Sequence, residues 1–166
     1  MSTRIDLATL ELMDALDLAV LIEAEALHRY RSFAAQLGHR FPGDAASVFS
    51  MMAENEAKHG QELAEQRRAL FGDVPARVSR DDLFDVEAPE EGAIRANMSA
   101  LQAFEIARSS EQNAYDFYDQ ALTSVSNPEI RALFVQLRDE EKEHVRMVRE
   151  AIEALPHDAD EMVELD

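Results

Sequence analysis

The sequence contains no cysteine. That absence removes disulfides, thiolate zinc sites, cysteine-ligated iron–sulfur clusters and any cysteine nucleophile together, and it leaves the redox compartment open, with the cytoplasm as the default. Basic residues are scarce: 16 Lys and Arg stand against 34 Asp and Glu, for a formal net charge of −18. A field of that sign repels phosphate backbones and anionic lipid, so neither nucleic acid nor a membrane is an expected partner, whereas cations are concentrated near the chain. No apolar run approaches the length of a bilayer span. The opening stretch MSTRIDLATLELMD carries acids where a secretion signal needs a basic start and an apolar run.

Glycine and proline are also few, five of each, and fall mainly outside four long stretches rich in Ala, Leu, Glu, Arg and Met. Strand-like alternation is missing. A chain of 166 residues is one domain by size and can bury a core without covalent staples. The spacing predicts an all-α protein with helices over about Thr9–Leu37, Asp44–Phe71, Ser99–Val125 and from Pro128 to just before Pro156. Gly38 and Gly72 are the expected terminators, and Ser99 and Asn127 the expected caps. Short first and third connections make two antiparallel hairpins. The 27 residues from Gly72 to Met98 suffice, at about 3.3 Å each, to cross end to end over a helix roughly 40 Å long. Residues 1–156 therefore read as one four-helix bundle with a single long crossover, and 157–166 as an acidic tail.

Two segments on these helices repeat. MAENEAKHGQEL and RDEEKEHVRMV place Glu56 before His59 and Glu141 before His144 at the same three-residue spacing, 85 positions apart. Glutamate supplies 20 of the 166 residues, so a chance match is cheap, and Glu25 with His28 is indeed a third example. Position on the helix separates them. At 100° per residue, Glu56 with His59 and Glu141 with His144 fall among apolar residues, whereas Glu25 and His28 point away from the apolar stripe of their helix. A second repeat, Glu-x-x-Ala-x-x-x-Tyr, sets Glu23 and Tyr30 against Glu111 and Tyr118, each 88 positions apart. Each hairpin thus aims one lone Glu and one Glu-x-x-His pair inward.

Four carboxylates in an apolar interior repel one another or take up protons, and each unpaired ion costs several kcal/mol. Arg108, at the edge of the third stripe, is too little positive charge to offset them. Two divalent cations neutralise four carboxylates. Carboxylate oxygen with imidazole nitrogen suits iron, or manganese or another divalent metal, better than structural zinc. Tyr30 and Tyr118 are candidates to hydrogen-bond a ligand carboxylate, and Asn55 and Glu140 to hold an imidazole, although solvent exposure is the simpler expectation for that pair.

Lone Glu, Glu-x-x-His, lone Glu, Glu-x-x-His across four helices resembles the ferritin-like carboxylate-bridged di-metal proteins. Within them, the Glu-x-x-Ala-x-x-x-Tyr stretch and NEAKH are most similar to rubrerythrins over about residues 9–155. The resemblance implies Glu23, Glu56, His59, Glu111, Glu141 and His144 as ligands of two iron ions, oxidised by hydrogen peroxide or oxygen. It also implies a homodimer. Two departures stand out. Without cysteine there is no rubredoxin-type iron, so electrons must come from an external donor protein. The family usually carries a further Glu on the third helix, where this chain has Ala114. Peroxidase or ferroxidase turnover is the first expectation. Iron binding or storage without efficient turnover is the second, and a metal-free bundle that binds partners through its crossover is the third.

Overall fold

The computed structural model describes residues 6–40, 44–83 and 99–155. These form four long helices, α1 (Leu12–Leu37), α2 (Ala45–Phe71), α3 (Ala100–Ala121) and α4 (Pro128–Glu153), with two short 3-10 turns and no strand among the described residues. The tail from 157 onward and positions 84–98 of the crossover lie outside them.

Helix ends follow from orphaned backbone groups. Asp44 opens α2 by accepting from the Ser47 amide at 2.9 Å, and its other oxygen takes the Arg40 amide at 2.6 Å. Ser99 and Gln102 form a reciprocal capping box at α3. Asn127 caps α4 ahead of Pro128, whose missing N–H costs nothing at the first helical position. Gly38 and Gly72 end α1 and α2 at φ +67° and +61°, a region that favours glycine.

Two boundaries differ from the sequence expectation. Leu7–Thr9 winds as a separate 3-10 turn capped by Asp6, so α1 starts at Leu12. Helix α3 stops at Ala121, where the chain tightens into a turn: the Thr123 and Ser124 amides donate to the Gln120 and Ala121 carbonyls at 3.1 and 3.0 Å, and Arg131 of α4 donates to the Leu122 and Val125 carbonyls of the turn itself at 2.5 and 2.9 Å.

Backbones approach closely within the pairs α1–α2 and α3–α4 and only slightly between α1 and α4, as expected for two hairpins. Arg67 of α2 ties the first hairpin to the start of the crossover. Its guanidinium donates to both Asp17 oxygens at 2.8 and 3.3 Å and to the carbonyls of Gly72 and Val74 at 2.8 and 2.5 Å.

The hydrophobic core is split into two layers along the bundle. One gathers Leu16, Ile22, Leu63, Phe117, Tyr118, Ile130, Phe134 and Leu137. The other gathers Ala26, Tyr30, Phe33, Phe49, Met52, Phe104, Ala107 and Val148. Aromatic contacts knit each layer: Phe49 stacks on Phe104 at 4.8 Å and Tyr118 meets Phe134 edge-on at 5.4 Å. Full burial of one such side chain contributes about 1.5–3 kcal/mol, so both layers are substantial.

The buried face of α1 is broader than the stripe centred on Glu23. Ala15, Leu18, Ile22 and Phe33 are fully enclosed, while Leu12, Val20, Leu27 and Leu37 are half-buried. Helix α1 packs on α2 and also meets α4 and the 3-10 turn at Arg80–Leu83, which extends its covered face to one side.

Candidate metal centre

What lies between the two apolar layers follows from the chain. On α1, Glu23 separates Ile22 from Ala26; on α2, Glu56 and His59 separate Ala53 from Leu63; on α3, Glu111 separates Ala107 from Phe117; on α4, Glu141 and His144 separate Leu137 from Val148. All six residues named from the sequence thus fall in one polar stratum at mid-bundle. Glu23, Glu56, Glu111 and Glu141 are no more than 2% exposed and His144 is 5%. His59 is the outlier, with its side chain 24% exposed.

Around His144 the geometry is tight. Its Nδ1 lies 3.1 Å from Glu56 Oε1, 3.4 Å from Glu111 Oε2 and 3.5 Å from Glu141 Oε2. Burial pushes the Glu111 carboxyl up, but hydrogen bonding with Glu141 and His144, then the charges of His144 and Arg29, outweigh it and hold Glu111 below the ordinary carboxylate range. The rings of His59 and His144 lie nearly parallel, 10° apart, with centroids at 5.8 Å.

Two groups of donors have atoms all within 4.8 Å of one another: Glu56, Glu111 and His144, all buried, and Glu23, His59 and Glu140. Each draws on both hairpins. The donors fit a pair of divalent cations. Nitrogen and oxygen ligands at about 2.0–2.2 Å from one ion stand roughly 3.0–3.5 Å apart in octahedral or tetrahedral arrangements. The separations around His144 Nδ1 fall in that range. Glu141 faces His144 from one turn earlier.

Two residues were misjudged from the sequence. Arg108 is exposed, and the positive charge near the stratum comes from Arg29 of α1, which is 5% exposed and acts on Glu111. Arg29 sits about 120° from Glu23 around α1, outside the assumed stripe, so only the wider covered face of α1 buries it. Glu140 is not turned wholly to solvent: it is 26% exposed, with Oε2 3.8 Å from His59 Nδ1. Tyr30 and Tyr118 are fully buried, one in each apolar layer, and the Tyr30 hydroxyl makes no hydrogen bond among the described residues. Of the decoy pair, His28 is exposed, while Glu25 is half-buried and meets Arg80 at 2.5 Å, and neither joins a donor cluster. Ala114 is fully enclosed, so α3 supplies no second acid one turn after Glu111. No described helix is long and apolar enough to cross a membrane.

Comparison with known proteins agrees with this geometry. Among solved structures, the chain is similar to an uncharacterised conserved protein from Magnetospirillum magnetotacticum MS-1. The two are 28% identical with a TM-score of 0.75, over 89% of this chain and 97% of that one. A search of curated proteins finds no match. The Rubrerythrin family model matches residues 14–152, spanning all four helices and both donor clusters. The chain belongs to the rubrerythrin family, and with its paired Glu/His clusters it is a redox enzyme of the di-iron type.

Proposed function

We propose that Glu23, Glu56, His59, Glu111, Glu141 and His144 hold two iron ions, and that the protein reduces hydrogen peroxide, or oxygen, at the expense of the Fe(II) pair. The observation that carries this reading is the buried His144 Nδ1 set among three carboxylates at 3.1–3.5 Å. Manganese or another divalent metal satisfies the same donors, and the redox reading favours iron.

When bound, the metals supply two electrons per peroxide, which with two protons becomes two waters. The chain's own groups do the rest. Four glutamates neutralise the cations, and carboxylates can bind through one oxygen or two, which lets the site follow a change of oxidation state. The two imidazoles are neutral nitrogen donors that cap the set. Apolar layers above and below exclude bulk water and strengthen every electrostatic contact between them. The unsatisfied buried hydroxyl of Tyr30 supports a role for it as hydrogen-bond donor to an acceptor that arrives with metal or oxidant. Tyr118 takes the matching place in the other repeat. Re-reduction falls to an external electron-donor protein, because a chain without cysteine has no rubredoxin-type iron. A homodimer completes the proposal on the strength of family membership.

Elemental analysis of protein purified without added metal tests the ligand set. Two metals per chain are expected, falling to one or none in Glu141→Ala. Anaerobic loading with Fe(II) followed by peroxide tests the activity: oxidation must outpace that of free Fe(II), and equal rates would end this reading. Storage in place of turnover would show far more than two irons per chain.

A further inference from the structure

The two donor clusters are unequal. Glu56, Glu111 and His144 are sealed inside the bundle, whereas the other cluster opens on His59 and takes its third donor from Glu140. Glu140 is not among the six repeated inward positions. We infer that Glu140 is a seventh metal-binding residue, completing with Glu23 and His59 the more open of the two metal positions. The inference rests on the di-metal reading above and adds one carboxylate to it.

Distance comes first. Glu140 Oε2 is 3.8 Å from His59 Nδ1, and an oxygen of Glu23 joins them with all three atoms within 4.8 Å of one another. Neighbouring donors on one ion stand roughly 3.0–3.5 Å apart, and the flexible glutamate arm spans the difference by a small torsional adjustment.

The identity of the nitrogen decides between a ligand and a mere support. In His144 it is Nδ1 that faces three carboxylates. In His59, whose ring lies parallel to that of His144, it is again Nδ1 that is buried and turned to a carboxylate. A support for a metal-bound histidine accepts a proton from the ring nitrogen remote from the metal. Glu140 instead approaches the nitrogen that corresponds to the ligating one. With Nδ1 as the ligating nitrogen of both rings, Glu140 Oε2 stands on the metal side of His59, where a second donor to the same cation belongs.

The third observation is the anchoring of the other oxygen. Gln136, one turn earlier on α4, donates to Glu140 Oε1 at 3.2 Å. That contact holds the carboxylate with a single oxygen turned toward His59, the posture of a one-oxygen ligand.

Anaerobic calorimetric titration of the whole chain with Fe(II), and with Co(II) for its ligand-field spectrum, tests the proposal in Glu140→Ala, Glu140→Gln and His59→Ala. Glu105→Gln, an exposed acid on α3, controls for the loss of one negative charge. Both Glu140 variants should keep one equivalent at wild-type affinity and weaken the other on the order of 100-fold. His59→Ala should weaken that same equivalent, and the Co(II) spectrum of that equivalent should change. Glu105→Gln should titrate as wild type. Retained affinity in Glu140→Gln alongside loss in Glu140→Ala would overturn ligation, because a glutamine oxygen can still accept a hydrogen bond yet is a poor ligand. Two unchanged equivalents in both variants would overturn the inference while leaving the di-metal reading intact. Fewer than two equivalents in the wild type would bring down that reading itself, and Glu140 with it.

Discussion

Removing metal should cost this protein a large part of its stability, because the polar stratum sits where a continuous apolar core would otherwise be. Four carboxylates at 1–2% exposure leave water on folding, and each desolvated ion costs several kcal/mol unless it is compensated. A cation present at a hundredfold excess over its Kd stabilises the fold by about 2.7 kcal/mol, so two sites contribute about 5 kcal/mol. For a chain of this length each kcal/mol moves Tm by about 2–4 °C, which predicts a gain of roughly 10–20 °C. Far-UV ellipticity followed on heating, in chelator and in Mn(II), measures it without oxidising the metal. Glu56→Gln then locates the effect. Its Oε1 lies 3.1 Å from His144 Nδ1, and glutamine keeps the shape while withdrawing one buried charge. The metal-dependent gain should fall by about half, roughly 5–10 °C, while the chelated variant melts at or above the chelated wild type. Melting that ignores metal, or a Glu56→Gln loss equal in chelator and in Mn(II), would refute the reasoning, since either result makes the carboxylate merely structural.

Arg67→Lys should destabilise the chain by about 2 kcal/mol in urea unfolding, because an ammonium cannot reach both Asp17 oxygens and the Gly72 and Val74 carbonyls together. Combined with Asp17→Ala the losses should be less than additive; full additivity would mean that the clamp is not a unit. Metal affinity should weaken steadily from pH 7.5 to 5.5 in calorimetric titration, since ligands must shed protons to bind. In the metal-free protein the depressed Glu111 carboxyl contributes its stability above the ordinary carboxylate range and loses it as pH falls through its lowered folded value, so acid melts should drop there less steeply in Glu111→Gln. His28→Ala should leave metal content unchanged and stability within about 0.5 kcal/mol, as for an ordinary surface site.

The helices and their stops were legible because they depend on local chemistry. Asp44, Ser99, Asn127, Gly38 and Gly72 each satisfy or end a backbone ladder through groups within a few residues of themselves. The six inward residues were legible for a related reason: a 3.6-residue period converts spacing into direction, so Glu141 and His144 could be separated from Glu25 and His28 before any packing was known. Arg29 was not legible, and Glu140 only as a candidate to hold an imidazole, for the same physical cause. Both sit off the centre of their own stripe, and whether such a position is covered depends on how close a neighbouring helix or loop comes. Arg29 is covered because the buried face of α1 is wide. Glu140 is drawn toward His59 from another hairpin, and no period within α4 encodes that. The end of α3 was missed similarly, since Arg131 of α4 holds the Leu122 and Val125 carbonyls of the following turn.

The position of the stratum gives the metals a mechanical role besides a chemical one. Backbone contact is dense inside each hairpin and slight between α1 and α4, so what joins the halves is side-chain packing at the two ends and the donors at the middle. Neither donor cluster is confined to one hairpin: Glu56 meets Glu111 and His144 across the divide, and Glu23 with His59 meets Glu140 across it. A cation in either cluster therefore bonds one hairpin to the other at the level where apolar packing is interrupted. Without cations the same level gathers carboxylates that repel, relieved in part by His144 and Arg29 acting on Glu111. One feature thus weakens the metal-free bundle and strengthens the loaded one, because charge that is costly in an apolar interior is what holds a metal firmly there.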